Sequence, residues 1–213
     1  MTVDELKRIY QAKRPLIKKK LSEFRKVGRD ASDEQLFEEL TFCIFTAGAS
    51  ARMGLTAVEG LRGVLAESTM SEIQLALQHR HRFPNARGSH VYRTREYLRE
   101  HCGLKMRELL DSFGTAEERR DFFALSPDVR GLWYKESSHF LRNVGYRGYA
   151  ILDKHVLARL AEFGVVDSPK PASTKAQYIG LETRMKGFAE SIGIDFDELD
   201  LLLWYTKTGE ILK

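Results

Sequence analysis

Apolar residues recur along this chain at helical spacing, and no stretch shows the strict alternation that is typical of β-strands. The clearest helical signal is the series Leu36, Leu40 and Ile44, which lie at i, i+4 and i+8. Aromatic residues between them occupy the other sides, so this helix is predicted to be central and buried. The whole chain is therefore predicted to be all-α, with about ten helices packed in two lobes.

Capping residues predict where several of these helices begin. Ser32 with Gln35, and Ser71 with Gln74, have the spacing of a capping box. Pro15 is typical of the first turn of a helix, so the N-terminal segment is predicted to form a short helix followed by a second one.

The segment 129–159 holds residues that could carry chemistry. Gly131 indicates a tight turn between helices, and backbone N–H groups at such a turn bind phosphate without reading sequence. Lys135 follows at a helix start, where the helix dipole favours loss of the proton that a nucleophilic lysine must lose. Asp153 precedes the next helix. Taken singly, a surface lysine and an N-cap aspartate explain both residues, although a capping carboxylate at a cleft also keeps one oxygen free for catalysis.

Two further polar residues are candidates for binding a ligand. His139 lies one helical turn after Lys135 on the same predicted helix. Ser50 is predicted to cap a helix that follows the small residues of segment 47–50. Small residues at this point leave room for a ligand, or equally for close packing of two helices, and residue type alone does not decide between them.

Composition excludes several classes of protein. Of 213 residues, 43% are hydrophobic and 30% are charged, which predicts a globular protein with a substantial core. No apolar run approaches the roughly 18 residues of a membrane span, and no signal peptide is recognisable, so a cytoplasmic location is expected. The two cysteines, Cys43 and Cys102, are too few to ligate an iron–sulfur cluster.

The net charge of +4 is modest, but basic residues cluster in segments 7–29 and 79–93. The first cluster is explained most simply as a solvated helix face. The second mixes arginine and histidine around Phe83 in a loop, which is typical of a surface that faces phosphates.

The motifs together carry a resemblance to a known family. GLWYKESSHFLRNVG (131–145) followed by AILDKH (150–155) resembles the catalytic hairpin of the helix-hairpin-helix superfamily of DNA base-excision glycosylases. The closest resemblance is to the 8-oxoguanine DNA glycosylase/AP lyases of archaea and some bacteria. TAGASARMG, RFPNAR and the terminal LLLWYTKTGEILK also resemble segments of that family, so the similarity spans most of the chain.

The resemblance implies a single helix-hairpin-helix glycosylase unit over residues 1–213, with the active site in a cleft between two helical lobes. It implies a helical hairpin at about 116–145 and a possible linker between the lobes at about 165–173. It also implies a bifunctional enzyme. Lys135 would attack C1′ of a flipped-out 8-oxoguanosine and displace the base, and the resulting Schiff base would allow β-elimination. Asp153 would activate the lysine and stabilise positive charge on the sugar.

The remaining site residues are likewise implied by resemblance. Trp204 would line the pocket for the base. Phe83 would wedge into the base stack or cover the lesion, and Arg82 would contact the orphaned cytosine. The terminal carboxylate of Lys213 would accept a hydrogen bond from N7–H, which 8-oxoguanine carries and guanine lacks.

One position departs from the pattern of the superfamily. Trp133 stands where the hairpin usually has a second glycine, which puts in doubt any metal ion held by the carbonyl groups of the hairpin. The resemblance implies no cofactor and no metal. The expected partner is damaged double-stranded DNA containing 8-oxoguanine, bound by a monomer that associates with the nucleoid. Two alternatives stay open: a related glycosylase for a different damaged base, and a non-catalytic helix-hairpin-helix module that only binds DNA.

Overall fold

The computed structural model describes residues 1–211, and within that range it contains eleven helices and no strand. This confirms the all-α prediction. No helix in this range is both long enough and apolar enough to cross a membrane. The helices are α1 (Val3–Asp30), α2 (Asp33–Thr46), α3 (Ala51–Glu59), α4 (Met70–Leu77), α5 (Pro84–Cys102), α6 (Met106–Asp111), α7 (Ala116–Leu125), α8 (Tyr134–Asn143), α9 (Lys154–Glu162), α10 (Lys175–Ile192) and α11 (Phe196–Thr208).

The N-terminal segment forms one helix, so the prediction of two helices separated at Pro15 is wrong. Helix α1 begins at a capping box formed by Thr2 and Glu5 and continues through Pro15 without interruption. Tertiary packing explains this, because burying an apolar stripe against α8 and α11 outweighs the hydrogen bond that proline cannot donate. The buried residues of the stripe are Leu6, Tyr10, Ile17 and Phe24.

The predicted capping box at Ser32 is confirmed. The one predicted at Ser71 is wrong, because α4 begins two residues earlier, with Thr69 as its N-cap and Glu72 as the partner. Two capping signals overlap in this stretch. The carboxylate of Glu72 is stabilised by the positive end of the helix more than a neutral amide is, which favours the earlier start.

Buried apolar side chains form two clusters, one centred on α2 and the other on α9, α10 and α11. Helix α2 is buried from Leu40 to Thr46 without a break, which confirms that it is central. Helices α7 and α8 contribute to both clusters. For α8, Phe140 belongs to the first cluster and Tyr134 to the second. Helix α8, which carries Lys135, therefore lies where the two clusters meet.

Candidate active site

Lys135 lies in the first turn of α8, one residue after the helix begins. Its side chain is 24% exposed, and Nζ lies 2.7 Å from Oε1 of Glu136. The resting lysine is therefore accessible and held in an ion pair with its neighbour in sequence. Sequence reasoning placed the lysine correctly at a helix start but missed Glu136 as its partner.

The turn before α8 is tight, as predicted from Gly131. The φ angle of Gly131 is +80°, and a Cβ added there would lie 2.7 Å from Nδ1 of His90, so glycine is required on both counts. Arg87 joins this turn to two other elements. Its guanidinium donates to the carbonyl of Gly131 at 3.5 Å and to the carbonyl of Ala47 after α2. Arg87 thus connects the start of α5 to the hairpin turn and to the end of α2.

Trp133 is accommodated without distorting this turn. It is the N-cap of α8 with an extended backbone (φ −140°, ψ −166°), which any residue adopts. Its ring packs edge-on against Tyr134 and Tyr178, with ring centroids 5.4 and 5.9 Å away. Within residues 1–211, no group of three or more His, Cys, Asp or Glu side chains is arranged to hold a metal ion.

Asp153 is the N-cap of α9, as predicted. Its Oδ1 accepts hydrogen bonds from the backbone N–H groups of His155 and Val156, each at 2.8 Å. Both bonds use the same oxygen, so Oδ2 accepts no hydrogen bond within the described part of the chain. The carboxylate is thus fixed in place by the helix and keeps one oxygen available. Lys135 and Asp153 make no direct contact with each other within residues 1–211.

The segment that leads into Asp153 is buried and forms neither helix nor strand. Its backbone groups are paired instead with side chains of α10 and α11. The N–H of Ala150 donates to Glu182 at 2.9 Å, and its carbonyl accepts from the hydroxyl of Tyr178 at 2.7 Å. The N–H of Ile151 donates to Asp200 at 2.9 Å. Buried backbone groups need such partners, so these side chains determine the path of the chain toward Asp153.

Two buried ion pairs complete this arrangement. Arg142 on α8 donates to Asp200 at 2.9 Å, and Arg120 on α7 donates to Glu182 at 2.7 Å. Burial raises the pKa of Asp200 to about 6, and the neighbouring Arg142 guanidinium counteracts the shift. Sequence reasoning missed both pairs. A signal existed for Asp200, which lies inside an apolar run of α11 where a carboxylate needs a partner.

The loop before α5 presents Phe83 to solvent, with 41% of its surface exposed. The guanidinium carbon of the exposed Arg82 lies 4.5 Å from the centre of the Phe83 ring. His81 holds the loop in place through two hydrogen bonds. It accepts from the N–H of Phe83 through Nδ1 at 3.0 Å, and it donates through Nε2 to the carbonyl of Phe45 at 2.8 Å. This anchor was not identified from the sequence.

Three other candidates occupy different environments. His139 is buried one turn after Lys135, and its ring packs edge-on against Phe42 with centroids 5.5 Å apart. Trp204 is half-buried in α11, whereas the three leucines before it are fully buried. Ser50 is exposed, and its hydroxyl caps α3 as predicted.

The end of the chain approaches the start of α3. Glu210 forms an ion pair with Arg52, two residues after Ser50. Lys213 lies outside the described residues, so its predicted place in the base pocket stays a prediction.

Helix α2 carries a buried cysteine near Lys135. Cys43 on α2 is fully buried, and burial together with the Glu39 carboxylate raises the pKa of its thiol well above the usual value. The positive charges of Lys135 and Arg142 counteract this shift, which places both cations near the thiol. Cys43 is thus a small buried residue of the core.

The fold and the site define an all-helical protein whose central hairpin presents a lysine, with a capping aspartate at the next helix start. Residues 17–194 match the model of the helix-hairpin-helix 8-oxoguanine DNA glycosylase family. The chain is 36% identical over 204 residues to an 8-oxoguanine DNA glycosylase/AP lyase of Korarchaeum cryptofilum, covering 94% of this chain and 91% of that protein. The chain belongs to the 8-oxoguanine DNA glycosylase family.

Solved structures agree with this assignment. The crystal structure of the 8-oxoguanine DNA glycosylase of Thermotoga maritima superimposes with a TM-score of 0.88 at 32% identity, covering 99% of this chain and 98% of that one. The Methanocaldococcus jannaschii 8-oxoguanine glycosylase/lyase, solved with a 15mer DNA containing 8-oxoguanine, gives a TM-score of 0.87 at 30% identity. It covers 98% of this chain and 99% of that one. The helix-hairpin-helix glycosylase fold is confirmed.

Proposed function

We propose that this protein excises 8-oxoguanine from DNA and then cuts the strand at the resulting abasic site. The proposal rests on the presence of two groups in one fold. They are an accessible lysine at the start of α8 and a capping carboxylate at the start of α9 that keeps one oxygen available. Full-length relatives named 8-oxoguanine DNA glycosylase/AP lyase support it, as does a solved relative bound to DNA with 8-oxoguanine.

Lys135 acts as the nucleophile in this proposal. Its ammonium gives up a proton, and the neutral amine attacks C1′ of the damaged nucleoside. The bond from C1′ to N9 breaks, its electron pair leaves with the base, and the base takes up a proton. Opening of the sugar ring gives an imine between Nζ and C1′. Loss of a proton from C2′ then expels the 3′ phosphate, which breaks the bond from C3′ to its oxygen.

Asp153 acts in the first half of this reaction, in which the bond to the base is broken. The positive charge that develops on the sugar requires a fixed anion, and a carboxylate held by two backbone N–H groups needs no reorganisation to provide it. Its second oxygen is the group that we propose takes the proton from Lys135. Glu136 holds the ammonium in the resting state and releases it when substrate binds.

The remaining candidates contact the substrate. Phe83 is the exposed aromatic residue that fills the space left by the flipped base, with Arg82 directed at the orphaned cytosine. Trp204, His139 and Ser50 form the walls of the base pocket. We also propose that the protein acts as a monomer, in the cytoplasm and at the nucleoid.

Lesion selectivity is assigned to the carboxyl end of Lys213. The ion pair between Glu210 and Arg52 supports this role, because it holds the last described residues beside Ser50. An α-carboxylate at this position accepts a hydrogen bond from N7–H of 8-oxoguanine and repels the N7 lone pair of guanine.

Appending Gly-Ser-Gly after Lys213 is expected to lower the preference for 8-oxoguanine over guanine by about 10- to 100-fold, the worth of one hydrogen bond to a charged group. Single-turnover excision from the two duplexes measures the ratio. The same tripeptide placed before Met1 is the control and should leave the ratio unchanged. An unaltered preference after the C-terminal extension would assign lesion selectivity to other residues.

His81→Ala is expected to reduce the unstacking of DNA by Phe83, because the loop loses the hydrogen bond from His81 to the carbonyl of Phe45 on α2 and the one from the N–H of Phe83 to His81. The measurement is the fluorescence of 2-aminopurine placed beside the lesion, which increases when its neighbour is unstacked. We expect the enhancement to fall by about half or more, toward the value for Phe83→Ala, since each lost hydrogen bond is worth about 1 kcal/mol. A full enhancement with His81→Ala would show that the loop holds its position without the histidine.

A further inference from the structure

Asp200 lies in an unfavourable place for a carboxylate. It is 1% exposed and stands between buried leucines on α11. Burial of an ionised carboxylate is costly unless both oxygens are engaged, and here both are. Oδ2 accepts from Nη1 of Arg142 at 2.9 Å, and Oδ1 accepts from the backbone N–H of Ile151 at 2.9 Å.

The two partners of Asp200 belong to the two halves of the proposed catalytic pair. Arg142 lies on α8 two helical turns after Lys135, and therefore on the same side of that helix. Ile151 lies two residues before Asp153, and its carbonyl accepts from the N–H of Asp153 at 2.7 Å. One carboxylate thus connects the helix of the nucleophile to the backbone that leads into the catalytic carboxylate of Asp153.

The Arg142 side of this connection is rigid. Arg142 is 6% exposed, and its guanidinium carbon lies 5.0 Å from the centre of the Phe24 ring. Its second amino group donates to the side chain of Asn143 at 3.4 Å. The charge of Asp153 acts on both Arg142 and Asp200, so the catalytic carboxylate lies close to this ion pair.

A second buried ion pair nearby, between Arg120 and Glu182, connects different elements. Glu182 accepts from the N–H of Ala150 and from Arg120, so it holds the same segment one residue earlier. Arg120 belongs to α7, however, and not to α8. Arg120 reaches α8 through a 3.5 Å hydrogen bond to the hydroxyl of Ser138, so Glu182 links the segment to the helix of Lys135 through a longer and weaker path than Asp200 does. This makes Glu182 the comparison for Asp200.

Stability alone does not account for the Asp200 pair. A buried ion pair is commonly no more stabilising than well-packed apolar residues of similar size. What an apolar pair cannot do is accept the N–H of Ile151 and hold a guanidinium of α8 on the same group. The carboxylate thus fixes the spacing between α8 and Ile151 through two short hydrogen bonds. The other link between α8 and this segment is longer, since the hydroxyl of Tyr178 donates to the carbonyl of Ala150 but lies 3.4 Å from the hydroxyl of Ser138.

We propose that Asp200 is a positioning residue, which sets the separation of Lys135 and Asp153 by holding Arg142 and the backbone of Ile151 on one carboxylate. This rests on the proposed function, in which Lys135 forms the covalent intermediate. Asp200 itself touches neither the sugar nor the base. Its effect is on the rate of chemistry, because a displacement of about 1 Å between reacting groups lowers the rate about 100-fold.

The first test compares Asp200→Asn with Glu182→Gln. Single-turnover formation of the borohydride-trapped complex on 8-oxoguanine DNA is measured well below each melting temperature, together with the Kd for the same DNA. We expect Asp200→Asn to slow trapping by about 100-fold with the Kd changed less than twofold, and Glu182→Gln to slow it less than tenfold. Trapping by Asp200→Asn at the wild-type rate, or an equal loss in both variants, would overturn the positioning role.

The second test separates positioning from folding. In the double variant Arg142→Met/Asp200→Leu, apolar packing replaces the ion pair, and the melting temperature should recover relative to Asp200→Asn. The trapping rate should stay low, because the N–H of Ile151 has lost its acceptor and with it the connection through Arg142 to α8. Recovery of both the melting temperature and the trapping rate would show that the Arg142–Asp200 ion pair has a purely structural role. Absence of trapping by the wild type would instead remove the proposed function, so the two failures are distinguishable.

Discussion

Lys135→Gln is expected to abolish the covalent complex that borohydride traps between the protein and DNA containing 8-oxoguanine. The amide of glutamine has no basic nitrogen to attack C1′, so no imine forms and nothing is available for reduction. The loss should be on the order of 10⁴-fold or more, because removal of a nucleophile eliminates the covalent route. A denaturing gel of end-labelled DNA after borohydride treatment measures it.

The fold should tolerate this substitution. Among residues 1–211, the partner of Lys135 is Glu136 in a partly exposed ion pair, and such pairs contribute about 1 kcal/mol or less. Lys105→Gln is the matched control, since Lys105 also pairs with a nearby glutamate, Glu108, but lies at the start of α6. The Lys105→Gln variant should form the borohydride-trapped complex with DNA as the wild type does. A trapped complex with Lys135→Gln would mean that another amine is the nucleophile.

Asp153→Asn is expected to lower the rate of base excision by about 100- to 1000-fold while DNA binding is retained. Asparagine keeps an oxygen that can accept from the N–H groups of His155 and Val156, so the cap of α9 is preserved. The substitution removes the negative charge that the sugar cation and the lysine proton both require. Single-turnover excision and the Kd for the same duplex are the two measurements.

Asp195→Asn provides the control for this prediction. Asp195 caps α11 with the same geometry, in which one oxygen accepts from the N–H groups of Asp197 and Glu198 at 3.1 and 3.2 Å. It has no proposed role in chemistry, so its variant should excise at close to the wild-type rate. If Asp153→Asn lost rate and binding equally, Asp153 would be a structural cap and no more.

Local signals in the sequence predicted the positions of the proposed catalytic pair in the helices well. Gly131, Lys135 and Asp153 stand at a turn and at two helix starts, and the rules for turns and caps depend on only a few neighbouring residues. The same rules were wrong at Pro15, where the packing of a long apolar stripe overrides a local preference.

The residues that hold the pair in place could not be predicted in this way. Arg142 and Asp200 are 58 residues apart, and Arg120 and Glu182 are 62 apart. Partners at such separations are chosen by the packing of helices and leave no spacing to detect. The sequence shows only that Asp200 interrupts an apolar run, which indicates that it has a partner but not which residue the partner is.

The buried state of Cys43 has a consequence for the conditions under which this protein works. Oxidants attack the thiolate form of cysteine at accessible positions, and Cys43 is neither accessible nor ionised, because burial keeps its thiol protonated. Burial likewise raises the pKa of Cys102, the only other cysteine. The proposed chemistry uses an amine and a carboxylate, which peroxide does not consume. We therefore expect the cysteines of this protein to resist oxidation during the same oxidative stress that creates its proposed substrate.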